Sequence, residues 1–75
     1  MNLNQFQYLL TIHQCGSITK AAQELFVSVP SISSAIKNLE EELGCTLMLR
    51  HRYGVTFTEQ GEEAVRLLQE VDERL

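Results

Sequence analysis

A chain of 75 residues makes one domain, because at this size only ~60% of the surface of the unfolded chain is buried on folding, which excludes a second domain or a deep enzyme pocket. Its 44% hydrophobic and 21% charged residues belong to an ordinary globular domain and exclude a disordered segment. The net charge of −4, taken in bulk, argues against nucleic acid as a partner, since duplex DNA is held largely by neutralising its phosphates.

The distribution of charge points the other way. Residues 1–39 carry Lys20 and Lys37 against Glu24 (+2 − 1 = +1), whereas residues 40–75 carry Arg50, Arg52, Arg66 and Arg74 against nine acids (+4 − 9 = −5). Acid gathers at Glu40 to Glu42 and after Glu59, and the stretch 43–58 has none. No apolar run exceeds three residues (25–27 and 47–49), against the ~20 that cross a bilayer. The N-terminus has no basic stretch followed by an apolar block, as a signal peptide requires, so a cytoplasmic, membrane-free protein is expected. Cys15 and Cys45 read as small, reduced core residues.

In chain order, Asn2 or Asn4 caps a first helix near 3–15, on which Leu3, Phe6, Leu9, Leu10 and His13 recur at spacings of three and four, with Tyr8 and Ile12 widening the apolar face. Gly16 stops it. Ser17 opens a short second helix, near 17–26, whose face is Ile18, Ala21, Ala22 and Leu25. Paired alanines suit close approach to a neighbouring helix. Ser28 caps a third helix near 29–43, with Pro30 in its first turn, where a missing N–H costs nothing. Ile32, Ile36, Leu39 and Leu43 are expected to face the core, and Gly44 to end the helix. Glu40 to Glu42, near the unfavourable C-terminal end of the dipole, are expected to be solvated.

The period then changes. Leu47 and Leu49 alternate, Gly54 breaks the run, and Val55 and Phe57 alternate again, which predicts a small β-hairpin near 47–57. Thr58 caps a last helix near 59–75 with Glu59, Glu62 and Glu63 in its first turn. Ala64, Leu68, Val71 and Leu75 follow at spacings of four, three and four, the seam of a two-helix contact.

One stretch resists a purely structural account. "LFVSVPSISSAIKNLE" carries serines at 28, 31, 33 and 34, although serine is a poor helix former. Capping accounts for Ser17 and Ser28. With Ile32, Ile36 and Leu39 turned to the core, Ser31, Ser33, Ser34, Lys37 and Asn38 fall on other surfaces. Two short helices joined by a tight turn, the second with small polar groups facing outward, form the arrangement that places a recognition helix in a DNA major groove. Short hydroxyls allow close approach and bond to base edges or phosphates. Arg50, His51, Arg52 and Tyr53 before Gly54 add two fixed charges and an aromatic ring to the hairpin, suited to phosphate or minor-groove contact. Helix-turn-helix plus hairpin makes a winged helix, mainly α.

These residues, G-S-x-T-x-A-A-x-x-L at 16–25, S-x-P at 28–30, S-x-x-I-x-x-L-E-x-x-L-G at 33–44 and G-V-x-x-T-E-x-G at 54–61, occur in order at one spacing. The chain resembles, over nearly its whole length, the N-terminal DNA-binding domain of LysR-type transcriptional regulators. The resemblance implies a winged helix-turn-helix over 1–58, with the helix-turn-helix at about 17–37. It further implies a linker helix from 59 that pairs two chains into a homodimer, and a separate C-terminal domain that takes a small-molecule effector. The expectation is a chain cut within its linker helix. Val29 stands where the family usually has glutamine and Ser34 where it often has a basic residue, and Met48 and Leu49 replace its usual phenylalanine and glutamate. The operator sequence therefore does not carry over.

The candidate contacts to double-stranded DNA are Ser17, Thr19 and Lys20 at the start of the second helix, and Ser28, Val29, Pro30, Ser31, Ser33, Ser34, Lys37 and Asn38 on the third. Arg50, Arg52 and Tyr53 complete them on the wing. Ala64, Leu68, Val71 and Leu75 are the candidate dimer contacts. No cofactor or metal is expected: His13, Cys15, Cys45 and His51 lack the paired close spacings of zinc sites, and no glycine-rich phosphate loop or Ser-His-acid set points to an enzyme. The alternative left open is a winged-helix module that binds protein through its acidic second half.

Overall fold

The computed structural model describes the backbone of residues 1–74 and the side chains of residues 1–70. Helix α1 (Leu3–Cys15) starts on Asn2, whose side chain accepts from the Gln5 amide at 2.9 Å while the Gln5 side chain accepts from the Asn2 amide at 2.9 Å. This reciprocal box satisfies two of the donors that a helix start leaves unpaired. The helix ends at Gly16, left-handed at φ 70°, whose N–H reaches the Ile12 carbonyl at 2.8 Å. Leu9 and Ile12 are buried, and so is Gln5, whose amide nitrogen donates to the Ala35 carbonyl at 3.4 Å. Leu3, expected in the core, is 80% exposed, because it lies on the opposite face of α1 from Gln5, Leu9 and Ile12, and Gln5 takes the inward position of the first turn.

Helix α2 (Ile18–Leu25) is one residue shorter at each end than its periodicity suggests, since Ser17 and Phe26 serve as caps. The Ser17 hydroxyl accepts from the Lys20 amide at 3.3 Å, and Ala21 and Ala22 are buried between α2 and its neighbours. Helix α3 (Val29–Leu43) begins on Ser28, whose hydroxyl accepts from the Ser31 amide at 3.2 Å, and ends at Gly44, left-handed at φ 73°. Ile32, Ile36 and Leu39 are buried. Leu43 is 43% exposed, a second correction with a different cause: it keeps the phase of the three core residues but lies in the last turn of the helix.

Strands β1 (Met48–His51) and β2 (Gly54–Phe57) pair antiparallel, with Met48 opposite Phe57 and His51 opposite Gly54. Glu40 fixes where the hairpin begins: its carboxylate accepts from the Leu47 amide at 2.7 Å and the Met48 amide at 3.4 Å. That corrects the expectation of a merely solvated acid, because a carboxylate bonded to two amides offsets its poor position on the helix dipole. The other edge of the wing meets the α1–α2 turn, where the Val55 amide donates to the Gly16 carbonyl at 3.2 Å.

Helix α4 (Glu59–Arg74) starts at Thr58, whose oxygen accepts from the Gly61 amide at 3.0 Å while its hydroxyl donates to the Thr46 carbonyl at 2.6 Å. Gly61 lies so close to β1 that a Cβ there would stand 1.9 Å from the Leu47 carbonyl oxygen. Val65 is buried in the common core with Leu9, Ile12, Ile32, Leu39 and Leu47. Across this junction His13 of α1 lies 3.1 Å from the Glu62 carboxylate and meets the Phe57 ring edge-on, centroids 4.8 Å apart. The result is a three-helix body, a two-stranded wing and a further helix, the winged helix-turn-helix expected from the residue pattern. Among the described residues no helix is long and apolar enough to cross a membrane.

Candidate nucleic-acid interface

The N-terminal half of α3 is built to stand clear of the body. Its cap and Pro30 fix where the helix starts, and the buried Ile32 and Ile36 then set the rotation of every other side chain. Val29, Pro30, Ser31, Ser34, Lys37 and Asn38 are exposed as a consequence. Ser31 is engaged by the cap, receiving the Ser28 hydroxyl at 2.7 Å, but its own hydroxyl proton stays free to donate. Ser33 differs from the other serines: it is half-buried and accepts a hydrogen bond from the Arg50 guanidinium.

The wing stands beside this helix. A cleft of ≈ 320 Å³ brings Ser17, Thr19 and Val29 together with Arg50, Arg52 and Tyr53, so the structure gathers candidates from three separate stretches of chain. A second cleft joins Ser33 and Lys37 of α3 to Arg50 of β1. Thr19 and Lys20 are exposed at the start of α2, and Ser17 is half-buried as its cap. At the wing tip the Arg52 guanidinium sits 5.8 Å from the centroid of the Tyr53 ring, within cation–π range. Lys20, Lys37, Arg50 and Arg52 make no ion pair among the described residues, and Lys37, Arg50 and Arg52 line the two clefts.

The dimer candidates fare differently. Ala64 and Leu68 are half-buried and pack against the core of their own domain, while Leu67, not singled out by the four-three spacing, is 56% exposed. The side chains of Val71 and Leu75 lie outside the described residues. Cys15 and Cys45 are half-buried free thiols. The hydrogen bond from the Cys15 thiol to the Glu24 carboxylate, at 3.0 Å, raises the thiol pKa above its ordinary value, and desolvation and the carboxylate charge add to it. The described residues gather no group of three or more His, Cys, Asp or Glu able to hold a metal ion.

Three structural features near the candidate interface are not apparent from the residue pattern. Phe26 occupies a left-handed conformation (φ 59°) in the helix-turn-helix turn and is 95% exposed; its place after Leu25 and before a cap is the one signal in the sequence. His51 and Thr56 join across the wing at 2.9 Å, as residues on facing strands next to a tip glycine can. The Arg50–Ser33 bond has no local signal, being 17 positions apart.

Residues 3–62 match the family described as bacterial regulatory helix-turn-helix protein, lysR family. The chain belongs to this LysR family. Relatives include the HTH-type transcriptional regulator YoaU of Bacillus subtilis (strain 168), named as uncharacterized, 38% identical over 95% of this chain and 25% of its own length. AbaB of Streptomyces antibioticus, also an HTH-type transcriptional regulator, is 43% identical over 84% of this chain and 21% of its own length. The LysR-family chain thus spans about a quarter of the curated relatives it matches, which are named as regulators and not as enzymes. Two solved structures share the fold closely. One is the CbnR DNA-binding domain in complex with DNA (TM-score 0.92, 29% identity, 97% of this chain and 84% of that one). The other is the BenM DNA-binding domain with catB site 1 DNA (TM-score 0.81, 37% identity, 99% and 84%).

Proposed function

We propose that this chain is the DNA-binding domain of a transcriptional regulator, with α3 entering the major groove and the wing reaching the backbone or the adjacent minor groove. The observation that carries the reading is the cleft between the start of the helix-turn-helix and the wing, where small polar groups and unpaired cations share one side of the molecule. Likeness to CbnR and BenM domains solved with DNA supports it. In this reading residues 1–58 form the DNA-binding unit and 59–75 begin a linker helix. Ser31, Ser34 and Asn38 face base edges, Val29 and Pro30 offer apolar contact, and Ser17, Thr19, Lys20, Ser28, Lys37, Arg52 and Tyr53 position the protein on the duplex.

A homodimer through α4 follows from the same reading: Leu67 is exposed beside the half-buried Ala64 and Leu68, and two recognition helices then demand half-sites one or more helical turns apart. In the whole regulator, a further domain would bind a small-molecule effector, and the protein would work in the cytoplasm. The deciding experiment is duplex binding measured against salt. A phosphate-dependent reader loses affinity steeply, and Lys37→Ala or Arg52→Ala should each lower the slope by ~1. Binding that ignores salt in the parent and both variants would favour a protein-interaction module instead.

A further inference from the structure

His51 closes the first wing strand opposite Gly54, and both of its ring nitrogens are engaged. The backbone N–H of Tyr53 points at Nδ1 from 3.3 Å, and Nε2 lies 2.9 Å from the Thr56 hydroxyl oxygen on the facing strand. A backbone amide can only donate, so Nδ1 must be the bare nitrogen and the ring proton must sit on Nε2, where it donates to Thr56. The backbone itself thereby selects one neutral tautomer. Geometrically, a side-chain acceptor that takes the N–H two residues further on is the device by which Asp and Asn brace a turn; here an imidazole does so, and its far nitrogen ties the brace to the second strand.

What this brace holds is the part of the wing that carries charge. Arg52 lies between the two bonded residues, its guanidinium 5.8 Å from the centroid of the Tyr53 ring, and Gly54 follows at φ 144°, a conformation that side-chain-bearing residues rarely adopt. Without the His51 contacts, nothing else among the described hydrogen bonds anchors the Tyr53 amide. We propose that His51 is the positioning residue of the wing: as a neutral ring protonated on Nε2, it fixes the tip so that Arg52 and Tyr53 meet the DNA as one preformed unit. This assignment rests on the DNA-binding reading above and goes beyond it by naming a residue that needs no contact with DNA. Holding the tip in its bound shape beforehand spares the ordering cost at binding, so its removal should weaken affinity without removing a charge.

The test compares His51→Ala, His51→Asn and Thr56→Val in this chain, using long-range proton–nitrogen correlation spectra of the imidazole, exchange of the Tyr53 amide, and affinity for a mixed-sequence duplex. In the parent, Nε2 should be the protonated nitrogen and the Tyr53 amide should be protected. His51→Ala should lose that protection and bind roughly fivefold to tenfold more weakly, as expected for the loss of one or two hydrogen bonds. His51→Asn, whose side-chain oxygen can still accept from the Tyr53 amide, should recover most of both, and Thr56→Val should fall between. A ring protonated on Nδ1, or His51→Asn behaving like His51→Ala, would overturn the assignment. If the parent itself binds no duplex, the DNA reading falls, and the tautomer and the Tyr53 amide still decide whether His51 braces the wing.

Discussion

The Arg50 guanidinium on the first wing strand donates to the Ser33 hydroxyl on α3. Two residues expected to meet DNA separately are therefore partners, and the bond fixes the angle between the wing and α3. Their effects on DNA affinity should not add. In a double-mutant cycle of Arg50→Ala and Ser33→Ala, the coupling should be about 0.5–3 kcal/mol, the range for residues in direct contact. Losses that sum within experimental error would make Arg50 a simple phosphate contact.

Ser28 has one measurable structural task. Its hydroxyl accepts from the Ser31 amide and donates to the Ser31 oxygen. Ser28→Ala should cost about 1 kcal/mol, the usual value of an N-cap, and lower the thermal midpoint by roughly 4–8 °C for a domain of this size. Ser28→Gly should cost less. An unchanged midpoint for Ser28→Ala would show that Pro30 alone sets the helix start.

Gly61 is a packing requirement rather than a flexible joint. A Cβ there would stand 1.9 Å from the Leu47 carbonyl oxygen and 2.8 Å from its carbon, both backbone atoms that cannot turn aside. Gly61→Ala should improve helix propensity yet destabilise by about 1–3 kcal/mol or more, since an overpacked site forces backbone shifts. Chemical denaturation decides it. A stabilised variant would mean that α4 does not lie against the hairpin as described.

Cys15 should react slowly with alkylating agents at neutral pH, because the bond to Glu24 raises its pKa and little thiolate is present. In a Cys45→Ser background, Glu24→Ala removes that bond and the adjacent negative charge, lowering the pKa and accelerating alkylation severalfold. An unaltered rate would show that the thiol is not bonded to Glu24 in solution.

Much of this architecture is legible in the residue pattern because each signal is local. Asn2, Ser17 and Ser28 cap the helices they precede, Gly16 and Gly44 end theirs, and the switch from helical to alternating spacing marks the wing. Periodicity fails at helix ends: Leu43 keeps the phase of Ile32, Ile36 and Leu39 but lies in the last turn, whereas the inward position in the first turn of α1 is taken by a polar residue, Gln5, leaving Leu3 on the outer face. On α4 it marks Ala64 and Leu68 as a seam, although Val65 and Gly61 carry the tightest contacts with the domain and draw Ala64 and Leu68 half into it. The candidate site is legible as a set of residues and not as a geometry. Ser31 and Ser34 follow from helix phase alone, whereas the bonds of Arg50 to Ser33 and of Glu40 to the start of the hairpin depend on how α3 and the wing meet.

Whether the exposed serines of α3 face the bases is decided most directly by DNA binding of Ser31→Glu and Ser34→Glu, measured beside their thermal transitions. Both positions are exposed in the first two turns of α3, where a carboxylate suits the helix dipole and should leave the fold intact, but where it would face phosphates across a close-packed groove. The expected result is an unchanged or slightly raised midpoint with duplex binding abolished in both variants. Specific binding that survives glutamate at both positions would contradict it and remove α3 as the reading element.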